Sequence, residues 1–153
     1  MEKVLVTGGS GFIALHCIDQ LLEKGFMVRT TIRSESRKDE IKKAMDKYPN
    51  LDQNLEFHIC DLLEDKGWDL AVEGCEYVLH VASPFILEVP SDEEVLIRPA
   101  VDGTLRVLNA CSKADVKKVV LTSSVAAVAY GHDSEKIFDE SDWSNTGGDS
   151  GIT

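Results

Sequence analysis

The sequence predicts an α/β protein built on a doubly wound parallel sheet, and two observations carry this prediction. Short apolar runs alternate with segments of helical periodicity along the first 123 residues, which gives five strands and about four helices. Consecutive parallel strands need crossover helices, so this alternation favours a parallel sheet that is covered on both faces. Continuous apolar runs such as residues 119–121 suit strands that are buried on both sides.

The first half of the chain predicts strands at 3–7, 26–33 and 55–60. Helical spacing runs from Phe12 to Lys24, and Gly25 then closes this helix as a C-cap would. A charged amphipathic helix is expected at 37–47, before Pro49, and a weak helix at 63–72.

The second half continues the same alternation. Gly74 leads into a fourth predicted strand at 77–82, and a fifth is expected at 116–123. Between them, Ser91-Asp-Glu-Glu94 has the spacing of a capping box and should open a long helix that runs to about Lys113. Pro99 predicts either a kink in this helix or a second start.

Composition and charge exclude several classes of protein. The chain has 153 residues, of which 43% are hydrophobic, and its formal net charge is −11. One ordinary globular domain is expected, without a membrane span, since no apolar run approaches ~20 residues. A secretory signal is not expected either, since the N-terminus has no long apolar h-region and no small-residue cleavage site. The acidic balance disfavours nucleic acid and anionic lipid as partners. The cytoplasmic location that we expect is indicated by the cysteines.

The four cysteines give no sign of a metal site or a disulfide framework, because both need clustered or regularly spaced cysteines. We expect buried free thiols, which also fit the cytosol, and no bound metal. The cysteines are Cys17, Cys60, Cys75 and Cys111.

A glycine-rich turn, Thr7-Gly-Gly-Ser-Gly-Phe-Ile-Ala14, joins the first predicted strand to the first predicted helix. It fits Gly-x-Gly-x-x-Ala from Gly9 and Gly-x-x-Gly-x-x-Ala from Gly8. Glycines let backbone N–H groups approach a pyrophosphate, and the helix N-terminus adds partial positive charge. The alternative is a turn that merely connects two elements, but its position at the first strand of an alternating chain favours dinucleotide binding.

The end of the second predicted strand bears on which dinucleotide is bound. An acid there would accept a hydrogen bond from the ribose 2′-OH, whereas an arginine would hold a 2′-phosphate. The strand ends at Arg33 without an acid, and Arg37 and Lys38 follow. This favours NADP(H). Glu35 as a ribose acceptor keeps NAD open, and an exposed Arg33 on a solvated loop is the third reading.

Small and polar residues follow the later predicted strands, at the edge where ligands gather in open α/β sheets. Asp61 is placed either to cap the chain or to receive an adenine amino group. His80, inside an apolar strand, is more typical of a hydrogen-bonded core histidine than of a ligand. The other candidates at these strand ends are Ala82, Ser83, Ser123 and Ser124.

Together these motifs resemble the N-terminal part of the extended short-chain dehydrogenase/reductases, in the NAD(P)-dependent epimerase/dehydratase superfamily. The chain is most similar to their dihydroflavonol reductase-like group, although Ala14 replaces the commoner third glycine. The motifs span almost the whole chain, and their joint order is more specific than any one of them. They are Val6-Thr-Gly-Gly-Ser-Gly-Phe-Ile-Ala14, Val28-Arg-Thr-Thr-Ile-Arg33, Cys60-Asp-Leu62, Val78-Leu-His-Val-Ala-Ser-Pro84, Pro99-Ala-Val-Asp-Gly-Thr104 and Leu121-Thr-Ser-Ser124.

The resemblance implies a Rossmann-like fold and an NADP(H)-dependent oxidoreductase. Such an enzyme moves hydride between nicotinamide and an aldehyde, a ketone or a secondary alcohol. Ser124 matches the catalytic serine that hydrogen-bonds the substrate carbonyl oxygen. The resemblance implies that Gly8, Gly11 and Ile13, with Phe12 among them, bind the pyrophosphate, and that Arg33 binds the 2′-phosphate. It implies that Asp61 and Leu62 lie at the adenine, and Ala82 and Ser83 near the nicotinamide ribose. Ser123, beside Ser124, is the last of the implied cofactor-binding residues.

The mechanism of that family also needs a Tyr-x-x-x-Lys pair, in which the lysine charge lowers the pKa of the proton-transferring tyrosine. The three tyrosines here, Tyr48, Tyr77 and Tyr130, have Asp52, Val81 and Ser134 four residues on. We therefore expect residues 1–153 to be an incomplete NAD(P)-binding domain, with a core at 1–123 and an active-site loop region at 124–153. The C-terminal strands and the substrate-binding part would be missing, so this piece should be inactive alone and bind dinucleotide weakly at best.

Two alternatives stay open. A non-catalytic dinucleotide-binding sensor would have lost the Tyr–Lys pair, and an epimerase or dehydratase would use the same hydride step. Arg33 argues against the second, which more often has an acid at that position. For the full-length protein the resemblance implies a small-molecule carbonyl or alcohol substrate, with a homodimer as one option.

Overall fold

The structure is a computed structural model that describes residues 1–84, 90–132 and 136–146. The chain divides into two compact units, Met1–Leu121 and Thr122–Thr153. The strands of the first unit are β1 (Lys3–Val6), β2 (Met27–Ile32), β3 (Leu55–Ile59), β4 (Tyr77–His80) and β5 (Lys118–Leu121). Its helices are α1 (Phe12–Glu23), α2 (Lys38–Ala44), which follows a 3-10 turn at Glu35–Arg37, α3 (Leu51–Asn54), α4 (Trp68–Val72) and α5 (Glu94–Lys113). In the second unit the described helix is α6 (Ala126–Ala129).

The strands form one parallel sheet in the order β3-β2-β1-β4-β5. In the central strand β1, Val4 pairs with Val28 of β2 on one side and with Tyr77 of β4 on the other. The chain winds outward from β1 first in one direction and then in the other, so the strand order reverses between β1 and β4. Ligands of open α/β sheets bind at the carboxyl ends beside such a reversal. The predicted doubly wound, Rossmann-like sheet is confirmed.

Each face of the sheet has its own hydrophobic core. Neighbouring residues of a strand point to opposite faces, and Leu5 and Val6 of β1 accordingly belong to different clusters. Leu5 packs with residues of α4 and α5, such as Trp68 and Val107. Val6 packs with residues of α1 and α2, such as Ile18 and Ile41. The predicted helical cover on both faces is thus present.

The end of α1 follows the prediction. Gly25 has a φ of +79°, and its N–H donates to the Leu22 carbonyl at 3.0 Å. The Phe26 N–H reaches back to the Leu21 carbonyl, also at 3.0 Å. These two bonds are the pair that closes a helix whose next residue is left-handed, a conformation in which glycine costs least.

Helix α4 is shorter than predicted, because it begins at Trp68 and not at residue 63. Gly67 has a φ of +94°, and its carbonyl accepts the first helical hydrogen bond from Ala71. The Trp68 indole N–H donates to the carbonyls of Asp61 and Glu64, both at 3.1 Å. These tertiary bonds fold residues 61–67 into a loop, so the helical periodicity of that stretch was misleading.

Helix α5 begins differently from the predicted capping box. The helix starts at Glu94, and the carboxylate of Asp92, not the Ser91 hydroxyl, accepts the Glu94 N–H at 3.0 Å. The second start at Pro99 is also wrong, since the helix is continuous from Glu94 to Lys113. Proline lacks an N–H, so α5 gives up one internal hydrogen bond at this position.

Two predictions of burial are wrong. Val120 and Leu121 of β5 are 51% and 47% exposed, although their apolar run predicted burial on both sides. In the part of the sheet that the structure describes, β5 is an edge strand that pairs only with β4. Cys17 is half-exposed, whereas the other three cysteines are buried as expected.

Candidate functional site

An open cleft of about 1250 Å³ lies at the carboxyl ends of β1 to β4. It adjoins the reversal of strand order, where the topology places a ligand site. Several predicted site residues meet there: Gly8, Gly11, Phe12, Ile13, Arg33, Asp61, Leu62, Ala82 and Ser83 all line the cleft. The walls therefore come from segments that are far apart in sequence.

The three glycines of the turn use their own N–H groups to fold it. The Gly8 N–H donates to Thr31 Oγ1 at 2.9 Å, and the Gly9 N–H donates to the Thr31 carbonyl at 2.8 Å. The Gly11 N–H donates to the Gly8 carbonyl at 2.8 Å. These donors are therefore already paired, and the glycines contribute shape and not hydrogen bonds to a ligand.

Two of these glycines sit where a side chain has no room. A Cβ on Gly8, whose φ is +70°, would stand 2.9 Å from the Cβ of Ala82. A Cβ on Gly9 would stand 2.2 Å from Thr30 Oγ1, which donates to the Val6 carbonyl. The turn is thus packed closely between the ends of β2 and β4, which keeps the start of α1 beside the cleft.

The free donors of this region belong to the first turn of α1. The leading N–H groups of an α-helix lack internal partners, and no side chain caps α1 at Gly11. Phe12 and Ile13, which begin this helix, are 78% and 52% exposed and line the cleft. A helix N-terminus with unpaired N–H groups and partial positive charge is suited to bind an anion such as a pyrophosphate.

The basic residues after β2 differ in their pairing. Arg37 forms an ion pair with Glu40 at 2.7 Å, and Lys38 pairs with Glu35 at 2.5 Å. Arg33 is exposed, lines the cleft, and has no ion pair or hydrogen bond with any of the described residues. An unpaired guanidinium at this edge is available to an anionic ligand. Glu35, the alternative ribose acceptor, is engaged by Lys38.

The loop after β3 is held from within and from α5. Asp61 Oδ1 accepts the Leu63 N–H at 3.0 Å, so the carboxylate caps its own loop. The Leu62 carbonyl accepts a hydrogen bond from the Arg106 guanidinium at 2.8 Å. A Cβ on Gly103 would stand 3.0 Å from the Cβ of Leu62, so α5 approaches the loop where it has no side chain.

The end of β4 is tied to β1 by one threonine. Thr7 Oγ1 accepts the N–H groups of Val81 at 3.1 Å and Ala82 at 3.0 Å. It also lies 2.8 Å from Nδ1 of His80, which is 1% exposed. His80 is therefore the hydrogen-bonded core histidine that the sequence favoured, and burial lowers its pKa.

Ser123 and Ser124 belong to the second unit. Ser124 Oγ accepts the Ala126 N–H at 3.2 Å, at the start of α6, and the Ser124 carbonyl accepts the N–H of Ala127. The hydrogen of the Ser124 hydroxyl has no acceptor among the described residues, and both serines are exposed. This hydroxyl can therefore donate to another group.

Some residues of the cleft were not singled out from the sequence. Val95, Leu96 and Pro99, in the first two turns of α5, line it as well. The sequence signal for this region was the motif Pro99-Ala-Val-Asp-Gly-Thr104, to which no role in a site was assigned. Thr31 was missed as well, because its part in folding the turn depends on strand pairing across β1 and β2.

Cys60 lines the cleft, but it brings no reactive thiolate to this site. Burial raises the pKa values of Cys60 and Cys111 to about 11, so both are neutral thiols at pH 7. Over residues 1–84, 90–132 and 136–146, no group of three or more His, Cys, Asp or Glu residues could hold a metal ion. Within the same ranges, no helix is long and apolar enough to cross a membrane.

Comparison with known proteins identifies relatives of this chain. The bifunctional dihydroflavonol 4-reductase/flavanone 4-reductase of Malus domestica is 38% identical over 145 residues, which cover 94% of this chain and 41% of that protein. The crystal structure of vestitone reductase from Medicago sativa matches with a TM-score of 0.78 and 35% identity, over 95% of this chain and 43% of that one. Yeast methylglyoxal/isovaleraldehyde reductase complexed with NADPH matches with a TM-score of 0.80 and 31% identity, over 97% and 45% of the two chains.

The chain spans about two-fifths of the length of the curated relatives it matches. The similarity to dihydroflavonol reductases that the motifs indicated is confirmed. Residues 5–146 match the 3-beta hydroxysteroid dehydrogenase/isomerase family over most of the chain. The glycine turn and the order of the strands agree with this match. The chain belongs to the 3-beta hydroxysteroid dehydrogenase/isomerase family.

Proposed function

We propose that this chain is the dinucleotide-binding portion of an NADP(H)-dependent carbonyl reductase. The whole protein would move hydride between nicotinamide and an aldehyde, a ketone or a secondary alcohol, as the names of its dihydroflavonol reductase relatives suggest. Residues 1–123 would form the cofactor-binding core, and residues 124–153 would belong to the active-site loop region. Its partners would be small molecules.

The observation that carries this proposal is the unpaired Arg33 in the same cleft as the free N-terminus of α1. The N–H groups of Phe12 and Ile13 would bind the pyrophosphate, and the guanidinium of Arg33 would bind the 2′-phosphate. Gly8 and Gly11 both line the cleft, and the absence of side chains there allows the close approach of a dinucleotide to the start of α1. The yeast relative was crystallised with NADPH.

The remaining cleft residues would hold the two ends of the dinucleotide. Asp61 and Leu62 would lie against the adenine, and Ala82 and Ser83 near the nicotinamide ribose. Nicotinamide supplies the hydride when it is bound. Ser124, with Ser123 beside it, would hydrogen-bond the substrate carbonyl oxygen, which its undonated hydroxyl hydrogen supports.

The test is a comparison of NADPH and NADH affinities for the purified 153-residue chain, measured from the fluorescence of the reduced cofactors. NADPH should bind more tightly. Arg33→Met should weaken NADPH binding about tenfold while NADH binding is unchanged, because one charge-assisted contact is lost. The matched control is Arg98→Met, since Arg98 on α5 does not line the cleft and pairs with Glu94 at 3.6 Å.

Tighter binding of NADH by the wild-type chain would contradict the assignment of NADP(H). An Arg33→Met variant that keeps the preference for NADPH would contradict the role of Arg33 in particular.

A further inference from the structure

The hydrogen bonds of Thr7 determine the tautomer of His80. A threonine hydroxyl has two acceptor lone pairs and one hydrogen. Both lone pairs of Thr7 are used by the N–H groups of Val81 and Ala82. Its hydrogen must therefore go to His80 Nδ1, which lies 2.8 Å away and cannot itself carry a hydrogen. The ring hydrogen of a neutral His80 then resides on Nε2.

The arrangement is unusual at the Nε2 atom of His80. It is buried and has no hydrogen-bond partner among the described residues. A buried donor without a partner costs free energy. The hydrogen bonding of the His80 ring itself therefore does not explain why a histidine stands at this position. The ring accepts a hydrogen bond from Thr7, and this bond aims the Thr7 lone pairs at β4.

The residues that Thr7 holds form a wall of the cleft. Val81 and Ala82 line the cleft, whereas Thr7 and His80 do not. The Cβ of Ala82 would be 2.9 Å from a Cβ on Gly8, so the position of Ala82 also limits where the glycine turn can lie. A shift of this wall would alter both the turn and the nicotinamide end of the proposed site.

We propose that Thr7 and His80 are a pair of positioning residues that fix the Val81–Ala82 wall of the dinucleotide cleft, with His80 held as the neutral Nε2–H tautomer. The role in cofactor affinity rests on the proposed function, whereas the tautomer and the wall do not. Burial of His80, which lowers its pKa, keeps the ring neutral at pH 7 and supports the same tautomer.

The first test is nitrogen-15 NMR of the histidine rings in the labelled 153-residue chain. Nδ1 of His80 should have the shift of an unprotonated ring nitrogen, and Nε2 that of a protonated one. A hydrogen on Nδ1, or a doubly protonated ring at pH 7, would overturn the proposal. This measurement needs no cofactor.

The second test compares variants that keep or remove each partner. Thr7→Ser retains the hydroxyl, whereas Thr7→Val has the same shape without it. Likewise His80→Asn can place an acceptor near the position of Nδ1, and His80→Leu cannot. In Thr7→Val and His80→Leu the amide hydrogens of Val81 and Ala82 should exchange faster with solvent, and the conservative variants should restore slow exchange.

NADPH affinity is the functional readout. Thr7→Val should weaken binding about tenfold, and Thr7→Ser should stay within about twofold of the wild type, since only Thr7→Ser keeps the hydroxyl and its three hydrogen bonds. Equal amide exchange in Thr7→Val and Thr7→Ser would overturn the positioning role. If Thr7→Val does not fold, the pair of His80 variants makes the same comparison.

The two proposals fail in different ways. A wild-type chain that binds NADH more tightly than NADPH would contradict the proposed function, while the ring tautomer and the amide exchange would still decide the role of Thr7 and His80. Normal NADPH binding by all four variants would overturn the positioning role and leave the proposed function intact.

Discussion

Individual glycines of the turn act by leaving space, and the sequence pattern does not show which atom needs that space. The N–H groups of Gly8, Gly9 and Gly11 are bonded within the protein. The crowding partners, Ala82 and Thr30, come from strands that are distant in sequence. Gly8 and Gly9 therefore each report on a tertiary contact, and a substitution there tests that contact.

Gly9→Ala should be poorly tolerated, because its Cβ would meet Thr30 Oγ1 at 2.2 Å. We expect a loss of about 2 kcal/mol in the free energy of unfolding, typical of overpacking. Thermal and urea unfolding of the single variants and of Gly9→Ala/Thr30→Ala give a double-mutant cycle. The second substitution should relieve part of the damage, with a coupling of about 1 kcal/mol. Strictly additive effects would show that Thr30 is not the obstacle.

The position of Arg33 could be predicted from the sequence, but its lack of a partner could not. The pattern placed Arg33 at the end of β2 and grouped it with Arg37 and Lys38. The 3-10 turn and α2 then bring Glu35 to Lys38 and Glu40 to Arg37. This i,i+3 pairing depends on where the helical turns begin, which the sequence does not define to a single residue.

At the scale of elements, α5 shapes the loop after β3 through Gly103. Alanine inside a helix normally stabilises relative to glycine by about 0.5–1 kcal/mol. Here the added Cβ would stand 3.0 Å from the Leu62 Cβ and 3.2 Å from its carbonyl oxygen. The contact therefore opposes the gain in helix propensity, and it lies beside residues of the cleft.

Gly103→Ala should for this reason destabilise the chain, by about 1 kcal/mol, in opposition to its helix propensity. It should also weaken binding of 2′,5′-ADP, which occupies only the adenine end, because Leu62 must move. The control is Asn109→Ala on an exposed position of the same helix. A Gly103→Ala chain that is more stable and binds 2′,5′-ADP as before would contradict this account.

The elements that the sequence predicted well are those whose signals are local. Strand alternation and the Gly25 stop of α1 depend on neighbouring residues, and both were correct. The start of α4 was wrong because the Trp68 indole holds the preceding loop by bonds to Asp61 and Glu64. The burial of β5 was wrong because it depends on which element lies beside that strand and not on the strand itself.

At the scale of the whole molecule, the buried His80 and the half-buried His58 connect folding to pH. Burial lowers the pKa values of His80 and His58 in the folded chain, with Arg29 acting on His58 as well, below the ordinary 6.5. The folded state then binds fewer protons than the unfolded state just below pH 6.5. The contribution of these two histidines to the free energy of unfolding is complete above pH 6.5 and is lost as the pH falls.

We therefore expect the free energy of unfolding to be constant from pH 8 to 7 and to fall as the pH decreases from 6.5 to 5. Carboxylates with lowered pKa values, such as Glu56, contribute only below their ordinary 4.5. Urea unfolding as a function of pH measures the slope, which is limited to about 1.4 kcal/mol per pH unit for each histidine. His58→Gln should reduce the slope, and a flat profile down to pH 5 would contradict the expectation.

The order of the strands has a consequence for how the cleft arises during synthesis. The glycine turn lies near the start of the chain, but the strand before it pairs with segments that are synthesised later. Val4 of β1 pairs with Val28 of β2 and with Tyr77 of β4. Such long-range parallel pairings form slowly, because distant segments must meet before any contact compensates the lost chain entropy. A nascent chain on the ribosome therefore cannot complete the cleft until β4 has left the exit tunnel. From then on, a ligand that binds only the folded chain would favour folding by mass action.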